Sequence, residues 1–192
     1  MQREDDRLVE AALDGDARAF ELLMEKHESK MYAVALRMCQ NREDAQDCLQ
    51  DAMLRIYKAL PSFKGQSSFS TWAYRITMNT CLDELRRKKV RQASSLDQML
   101  DLGWSPVDEN NSTEHHADNM ELKRNLSRAI QTLPEEMRAA VVLRDVQGFS
   151  YDEIAEMLST NVGTVKSRIS RGREKLREIL SKDAELFGLR RV

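Results

Sequence analysis

Apolar residues recur along most of this chain with a helical period. Phe20, Leu23, Met24, Met31, Val34, Ala35 and Met38 lie three and four residues apart, which predicts a long amphipathic helix from Ala17 to about Cys39. A shorter helix is expected over Glu4–Leu13, ending at Asp14-Gly15. Asn41 is placed to cap a third helix, with Asp44 at its third position, and Pro61 stops it just after Leu60. Ser62–Ser68 reads as a polar loop, and a fourth helix runs from about Ser70 to Lys89. From Gln92 to Asp118 the period fails. Gly103, Pro106 and the acids Asp97, Asp101, Asp108, Glu109, Glu114 and Asp118 make this a flexible acidic linker. Periodicity returns over Met120–Ile130. Pro134 reads as the first residue of a further helix that ends near Val146. The expected fold is all-α: two small helical domains at 1–90 and 120–182, a linker over 91–119 and a tail at 183–192.

The segment after Gly148 carries the densest signal. Ser150 and Glu153 have the spacing of a capping box, and Ile154, Ala155 and Leu158 form an apolar face behind them. Ser159 to Asn161 supply a turn. A second helix starts near Val162, with Val165, Ile169 and Leu176 inward and Lys166, Ser167, Ser170 and Arg171 on the opposite face. This is the pattern of a helix-turn-helix, whose second helix enters a major groove where Arg and Lys read guanine edges. Across Val162–Arg177 the basic residues Lys166, Arg168, Arg171, Arg173, Lys175 and Arg177 meet one acid, Glu174. The competing reading is an amphipathic helix with a solvated basic face.

Composition narrows the class. With 32% charged residues, 41% apolar residues, 7 Gly and 3 Pro, the chain suits a soluble helical protein. No apolar run reaches membrane-spanning length and no signal peptide opens the chain, so a cytoplasmic protein without direct membrane insertion is expected. The net charge of −2 argues neither for nor against nucleic acid, but its distribution does. Basic clusters at Arg86–Arg91 and Lys166–Arg177 stand apart from acids at Glu43–Asp51 and in the linker. Cys39, Cys48 and Cys81 fall within apolar helical patterns and are expected to be buried free thiols. His115-His116 lies in the linker without partner ligands. No metal site, cofactor or small-molecule substrate is expected.

Two further features belong to the first domain. On the third helix Asp44, Asp47 and Asp51 share one face, flanked by Gln50 and Leu54. Such a face is either simply solvated or a docking surface for a basic partner. In the next segment Phe63 and Phe69 bracket the small polar loop that includes Ser67 and Ser68, and Trp72, Tyr74 and Arg75 open the following helix. Aromatic and basic residues together suit binding of unstacked bases, and a small polar loop can form a pocket for one extruded base. The plain alternative makes the aromatics core, which is favoured for Trp72. Asn79 and Asp83 lie one turn apart on this helix, which ends in Arg86 and Arg87; amides can read base edges and the basic end can hold phosphates.

The pieces DAQDCLQDAMLRIYKAL, FSTWAYRITMNTCLDELRR, LPEEMRAAVVLRDVQGFSYDEIAEML and VGTVKSRISRGREKLRE occur in that order. Through them the chain resembles bacterial sigma factors of the extracytoplasmic-function (ECF) group over nearly its full length. The resemblance implies a sigma-2 domain, then a sigma-4 domain. It implies that core RNA polymerase is held by its β′ coiled coil on Asp44, Asp47, Gln50, Asp51 and Leu54, and by its β flap. It implies that Phe63, Ser67, Ser68, Phe69, Trp72, Tyr74, Arg75, Asn79, Asp83, Arg86 and Arg87 recognise and help open the −10 element of promoter DNA. It implies that Lys166, Ser167, Arg168, Ser170, Arg171 and Arg173 contact the −35 element. An anti-sigma factor is an implied partner, which could hold the chain at the membrane. The acidic linker would thread the polymerase channel toward the RNA exit.

One departure is that Thr160 and Asn161 stand where family members carry an apolar residue and Pro; Asn161 still suits a turn. The long inter-domain region and acidic N-terminal domain of housekeeping sigma factors are missing, so the resemblance is to a specialised one, for a stress or envelope regulon. No nucleophile–base pair is evident, and the expectation is a protein that is not an enzyme. A stand-alone regulator would explain Ser150–Arg173 alone, and a nucleic-acid-processing enzyme would need catalytic acids in a pocket.

Overall fold

Helix starts are set by side-chain oxygens where the sequence supplies them. The computed structural model describes residues 2–39, 41–94 and 125–186, and among these all regular structure is helical. Helix α1 is Gln2–Leu13 and α2 is Ala17–Met38. Gly15, at φ +96°, turns the chain between them, and Asp16 accepts from the Arg18 and Ala19 amides at 2.9 and 3.2 Å. Helix α3 is Arg42–Ala59, with the Asn41 side-chain oxygen accepting from the Asp44 amide at 2.8 Å. Pro61 sits in the 3-10 turn Leu60–Ser62 that ends it. Helix α4, Phe69–Ser94, outruns its predicted end at Lys89. Neither Gly nor Pro interrupts 90–94, and Arg91 pairs with Glu84 at 2.5 Å one turn and more behind it. The rest of the linker, His115-His116 and the end of the tail lie outside the described residues.

In the second unit, α5 spans 125–132, and α6 is Glu135–Val141. Pro134 is the residue before α6, at φ −52° and ψ 139°, one place earlier than predicted. A wider π turn, Val142–Val146, follows where the sequence suggested one uninterrupted helix. Gly148, at φ +79°, leads into α7, Tyr151–Met157, and α8 is Val162–Leu186.

The buried apolar residues of the two units form one continuous cluster. Leu23, Met31, Val34, Met38, Ile56, Phe69 and Met78 fill the space among α2, α3 and α4. Leu133, Val142, Leu143, Ile154, Met157, Val165 and Ile169 fill that of the second unit. There α8 passes so close to α6 that a Cβ on Gly172 would lie 2.7 Å from Val141 Cγ2.

The two units touch. Arg138 is 5% exposed, and its guanidinium donates to the Met38 carbonyl at the end of α2 at 2.6 Å, to the Leu133 carbonyl at 3.0 Å and to the Gln131 carbonyl. Burial pushes its pKa down, with Glu135 and Cys39 opposing. Gln131 donates to the Cys39 carbonyl at 3.2 Å. Between α4 and α7, Thr71 donates to Glu153 at 3.3 Å, Arg75 pairs with Glu156 at 3.2 Å, and the Tyr74 and Phe149 rings meet edge-on with centroids 5.3 Å apart. Lys89 pairs with Glu135 at 2.6 Å.

Two outcomes follow from this packing. Gly172→Leu must overpack against Val141 and is expected to lower stability by about 1–3 kcal/mol in urea unfolding. Gly163→Ala, whose new Cβ meets only the Asn161 side chain at 3.3 Å, should be far milder. Arg75→Glu replaces an ion pair by repulsion from Glu156, each effect about 1 kcal/mol at most for so exposed a pair. Small-angle scattering should then show a larger radius of gyration, and Arg75→Glu combined with Glu156→Arg should restore the smaller one.

Candidate nucleic-acid interface

The first surface is built on the paired helices α7 and α8. Ser150 Oγ accepts from the Glu153 amide at 3.2 Å while the Glu153 carboxylate accepts from the Ser150 amide at 2.9 Å, completing the capping box. Burial opposes the charge on Glu153, but these bonds and one from Thr71 hold its pKa below the usual carboxylate value. The turn passes through Ser159 at φ +48°, and Asn161 caps α8 by accepting from the Thr164 amide at 2.8 Å. Asn161 thus stands in the turn, as expected, and caps the helix as well. Val165, Ile169 and Leu176 are buried, which turns Lys166, Ser167, Ser170 and Arg171 outward, all exposed.

The other two residues of that predicted set are differently placed. Arg168 is tied to Glu136, and Arg173 grips Asp145 through two bonds at 3.0 and 2.5 Å. Both guanidinium groups fasten α8 to the preceding helices. Ser167 turns its hydroxyl back to the Thr164 carbonyl at 2.9 Å. Lys166 and Arg144 lie over the Tyr151 ring at 5.7 and 4.6 Å from its centroid, a contact the sequence reading missed.

The second surface joins the loop 62–68 to α4, and the aromatic residues of α4 lie inside, as favoured for Trp72. Phe69 is 1% exposed, Trp72 7% and Tyr74 4%, so none presents a free ring to a base in this arrangement. Phe69 packs against Phe63, Trp72 and His27 with centroids 6.0, 5.8 and 5.5 Å away. Three large apolar rings within one helical turn of a small domain are worth more inside than out, at about 1.5–3 kcal/mol for a fully buried Phe-sized side chain. Tyr74 is covered by Phe149 of the second unit, and burial pushes its phenol up to about 12. Ser68 is a cap of α4: its hydroxyl accepts from the Thr71 amide at 3.1 Å and meets the Ser70 and Thr71 hydroxyls at 2.9 and 2.8 Å.

What remains on this surface is a cavity of about 280 Å³ lined by Phe63, Lys64, Gln66, Ser67, Trp72 and Arg75 together with Ser62 and Glu156. Further along α4, Asn79, Arg86 and Arg87 are exposed. Asp83 is half-buried and bonded to Arg55 at 3.3 Å.

The third surface is the outer face of α3. Asp47 and Gln50 are exposed, and Leu54 is 50% exposed. Asp51 pairs with Arg55 at 3.0 Å, so its charge is partly met within the helix. Asp44 is bound by Lys88 of α4 and serves as a link between helices more than as a free acid. Tyr57, three residues after Leu54 and 60% exposed, was missed; its spacing from Leu54 was the available signal.

Cys39, Cys48 and Cys81 are buried free thiols, as expected. They are also neighbours, from α2's end, α3 and α4: their sulfur atoms all lie within 4.8 Å of one another, and the Cys39 and Cys48 sulfurs are 3.6 Å apart. Hydrogen bonds from Cys39 and Cys81 pull the Cys48 pKa down, while sharing those protons raises the other two. No helix among the described residues is long and apolar enough to cross a membrane.

Comparison with known proteins identifies the family. The pattern of sigma-70 region 2 matches residues 23–91, and that of sigma-70 region 4 matches 123–176. The chain is 37% identical over 183 residues to the RNA polymerase sigma-H factor of Pseudomonas aeruginosa, covering 93% of this chain and 95% of that protein. It is 37% identical over 177 residues to the ECF RNA polymerase sigma-E factor of Escherichia coli K12, covering 90% of this chain and 92% of that one. Its fold matches that of the sigma factor RpoE solved with the anti-sigma factor NepR from Bartonella quintana. The TM-score is 0.71 at 22% identity, over 86% of this chain and 98% of that chain. With two sigma-70 regions in order and full-length relatives of one group, the chain belongs to the ECF sigma factors of the sigma-70 family, which are transcription initiation factors.

Proposed function

We propose that this chain binds core RNA polymerase in the cytoplasm and chooses its promoters, with no catalytic step of its own. The observation that carries the reading is the exposed face of α8. Lys166 and Arg171 stand outward on a helix whose start is capped and whose back is packed, while neighbouring Arg168 and Arg173 are held by acids. Such a face can enter the major groove of a −35 element.

Residues 1–90 would then dock polymerase and read the −10 element, and 120–182 would read the −35 element, with 91–119 as their tether and 183–192 as a tail. On α3, the exposed Asp47, Gln50, Leu54 and Tyr57 combine an acid with an apolar patch and suit the β′ coiled coil. The cavity beside Ser67 would take one extruded base, and Asn79, Arg86 and Arg87 would hold the strand beyond it. Because Glu156 of the second unit lines that cavity and pairs with Arg75, the two units must separate before DNA can use it. An anti-sigma factor that held them together would therefore silence the chain.

Run-off transcription with core polymerase on a promoter library tests the whole reading; no selected −35 or −10 bases would defeat it. Within that assay Arg171→Ala should relax preference at one −35 position and cost about 1–3 kcal/mol if it reads a base edge. Lys166→Ala should weaken all promoters alike and shallow the salt slope by about one unit if it meets phosphate. Asp47→Arg should reduce affinity for core polymerase more than Asp47→Ala does, without loss of helicity. Equal affinity in both Asp47 variants and the parent would remove α3 as the docking surface.

A further inference from the structure

The thiol cluster has no part in reading DNA or docking polymerase, yet three helices converge to form it. Cys39 closes α2, Cys48 lies on α3 and Cys81 on α4, at 1%, 3% and 0% exposure. We propose that Cys39, Cys48 and Cys81 form a three-thiolate binding site for a soft divalent cation of the zinc group.

Three observations support it. The first is the ligand geometry: all three sulfurs lie within 4.8 Å of one another, and the Cys39–Cys48 separation of 3.6 Å matches two sulfurs bonded to one ion at about 2.3 Å each. The second is the donor chemistry. Thiolates select soft ions over magnesium or calcium, and no carboxylate or imidazole among the described residues joins the cluster. The third is charge. Three thiolates and one divalent cation carry a net −1, which inside a protein needs a positive partner. Arg138 is that partner. It is buried, it donates to the carbonyl of Met38 next to Cys39, its bonds go to neutral carbonyls, and its Nε–H has no acceptor. The nearby Glu135 is itself engaged by Lys89.

A disulfide between Cys39 and Cys48 is the weaker alternative, because it would leave Cys81 unused and the Arg138 charge unmet. Binding exchanges three thiol protons for one cation: the protons pass to solvent, three S–M bonds form, and nothing is oxidised or reduced. An ion held there pins the end of α2 to α3 and α4. That same end of α2 accepts the seam bonds from Arg138 and Gln131, so occupancy should also favour the closed arrangement of the two units.

The test uses the full chain, reduced, metal-free and without oxygen. Cadmium is titrated while thiolate-to-metal charge-transfer absorption is followed in the ultraviolet. One ion per chain is expected, displaced by excess zinc. Cys48→Ala and Cys81→Ala should each weaken binding by at least about tenfold, circular dichroism confirming that both remain helical. If either variant fails to fold, cadmium-113 NMR of the parent chain decides alone: its resonance should fall in the range of sulfur coordination. No charge-transfer band in the parent, a resonance in the oxygen or nitrogen range, or a full band in both folded variants would overturn the site. The last result would show that neither Cys48 nor Cys81 is needed to hold the ion.

Discussion

Arg138 is the residue on which both halves of the structure lean. A guanidinium removed from water costs several kcal/mol unless its donors are met. Here the two terminal nitrogens are met by backbone carbonyls at the turn between α5 and α6 and at the end of α2, and only Nε–H is left without an acceptor. These carbonyls are the ones a helix end leaves without partners, so one side chain satisfies two termini at once. The arrangement has a structural consequence. When the two units part, Arg138 keeps the Gln131 and Leu133 carbonyls of its own unit but loses Met38. The seam is thus anchored by a charge-assisted bond that water can replace.

The other seam contacts are of the same exchangeable kind. Arg75 with Glu156 and Lys89 with Glu135 are ion pairs of half-exposed or exposed cations, and Thr71 with Glu153 is a single hydroxyl donor. Each such pair contributes about 0–1 kcal/mol. The edge-on meeting of Tyr74 and Phe149 is apolar, and the buried apolar cluster runs on across the seam. Such contacts can part while the helices of each unit stay packed on one another. The cost of opening is small beside the contacts that polymerase can offer, and small differences in affinity for the two arrangements shift their populations strongly.

Much of this was legible in the residues. Asn41, Ser150 and Asn161 cap helices because short polar side chains reach the free amides of a first turn, and that depends on local sequence alone. The same holds for Gly15 and Gly148 at positive φ. The aromatic residues of α4 were harder. Phe69, Trp72 and Tyr74 carry both apolar rings and, in a family of this kind, an expected role at bases; whether a ring is core or surface depends on what other helices bring to it. Phe63 and His27 arrive from the loop and from α2, and Phe149 from the second unit, none of them adjacent in sequence. Pairing of Arg168 with Glu136 and of Arg173 with Asp145 was invisible for the same reason. So was the convergence of Cys39, Cys48 and Cys81, which lie nine and thirty-three residues apart.

These hidden pairings change how specificity is built. A helix with six cations in little more than three turns would bind any duplex through phosphate charge. Tying Arg168 and Arg173 to acids lowers that indiscriminate attraction and leaves Lys166, Arg171, Lys175 and Arg177 to carry the outward charge. The closed seam acts in the same direction at the other element. With Glu156 lining the cavity beside Ser67 and Arg75 neutralised, the free chain offers little to single-stranded DNA. Weak binding by each half is then useful. Two weak contacts become one strong one only when something fixes their spacing. In the function proposed above, polymerase would do this by holding the units apart, and base extrusion, at a few kcal/mol per base, would be reached only in the assembled complex.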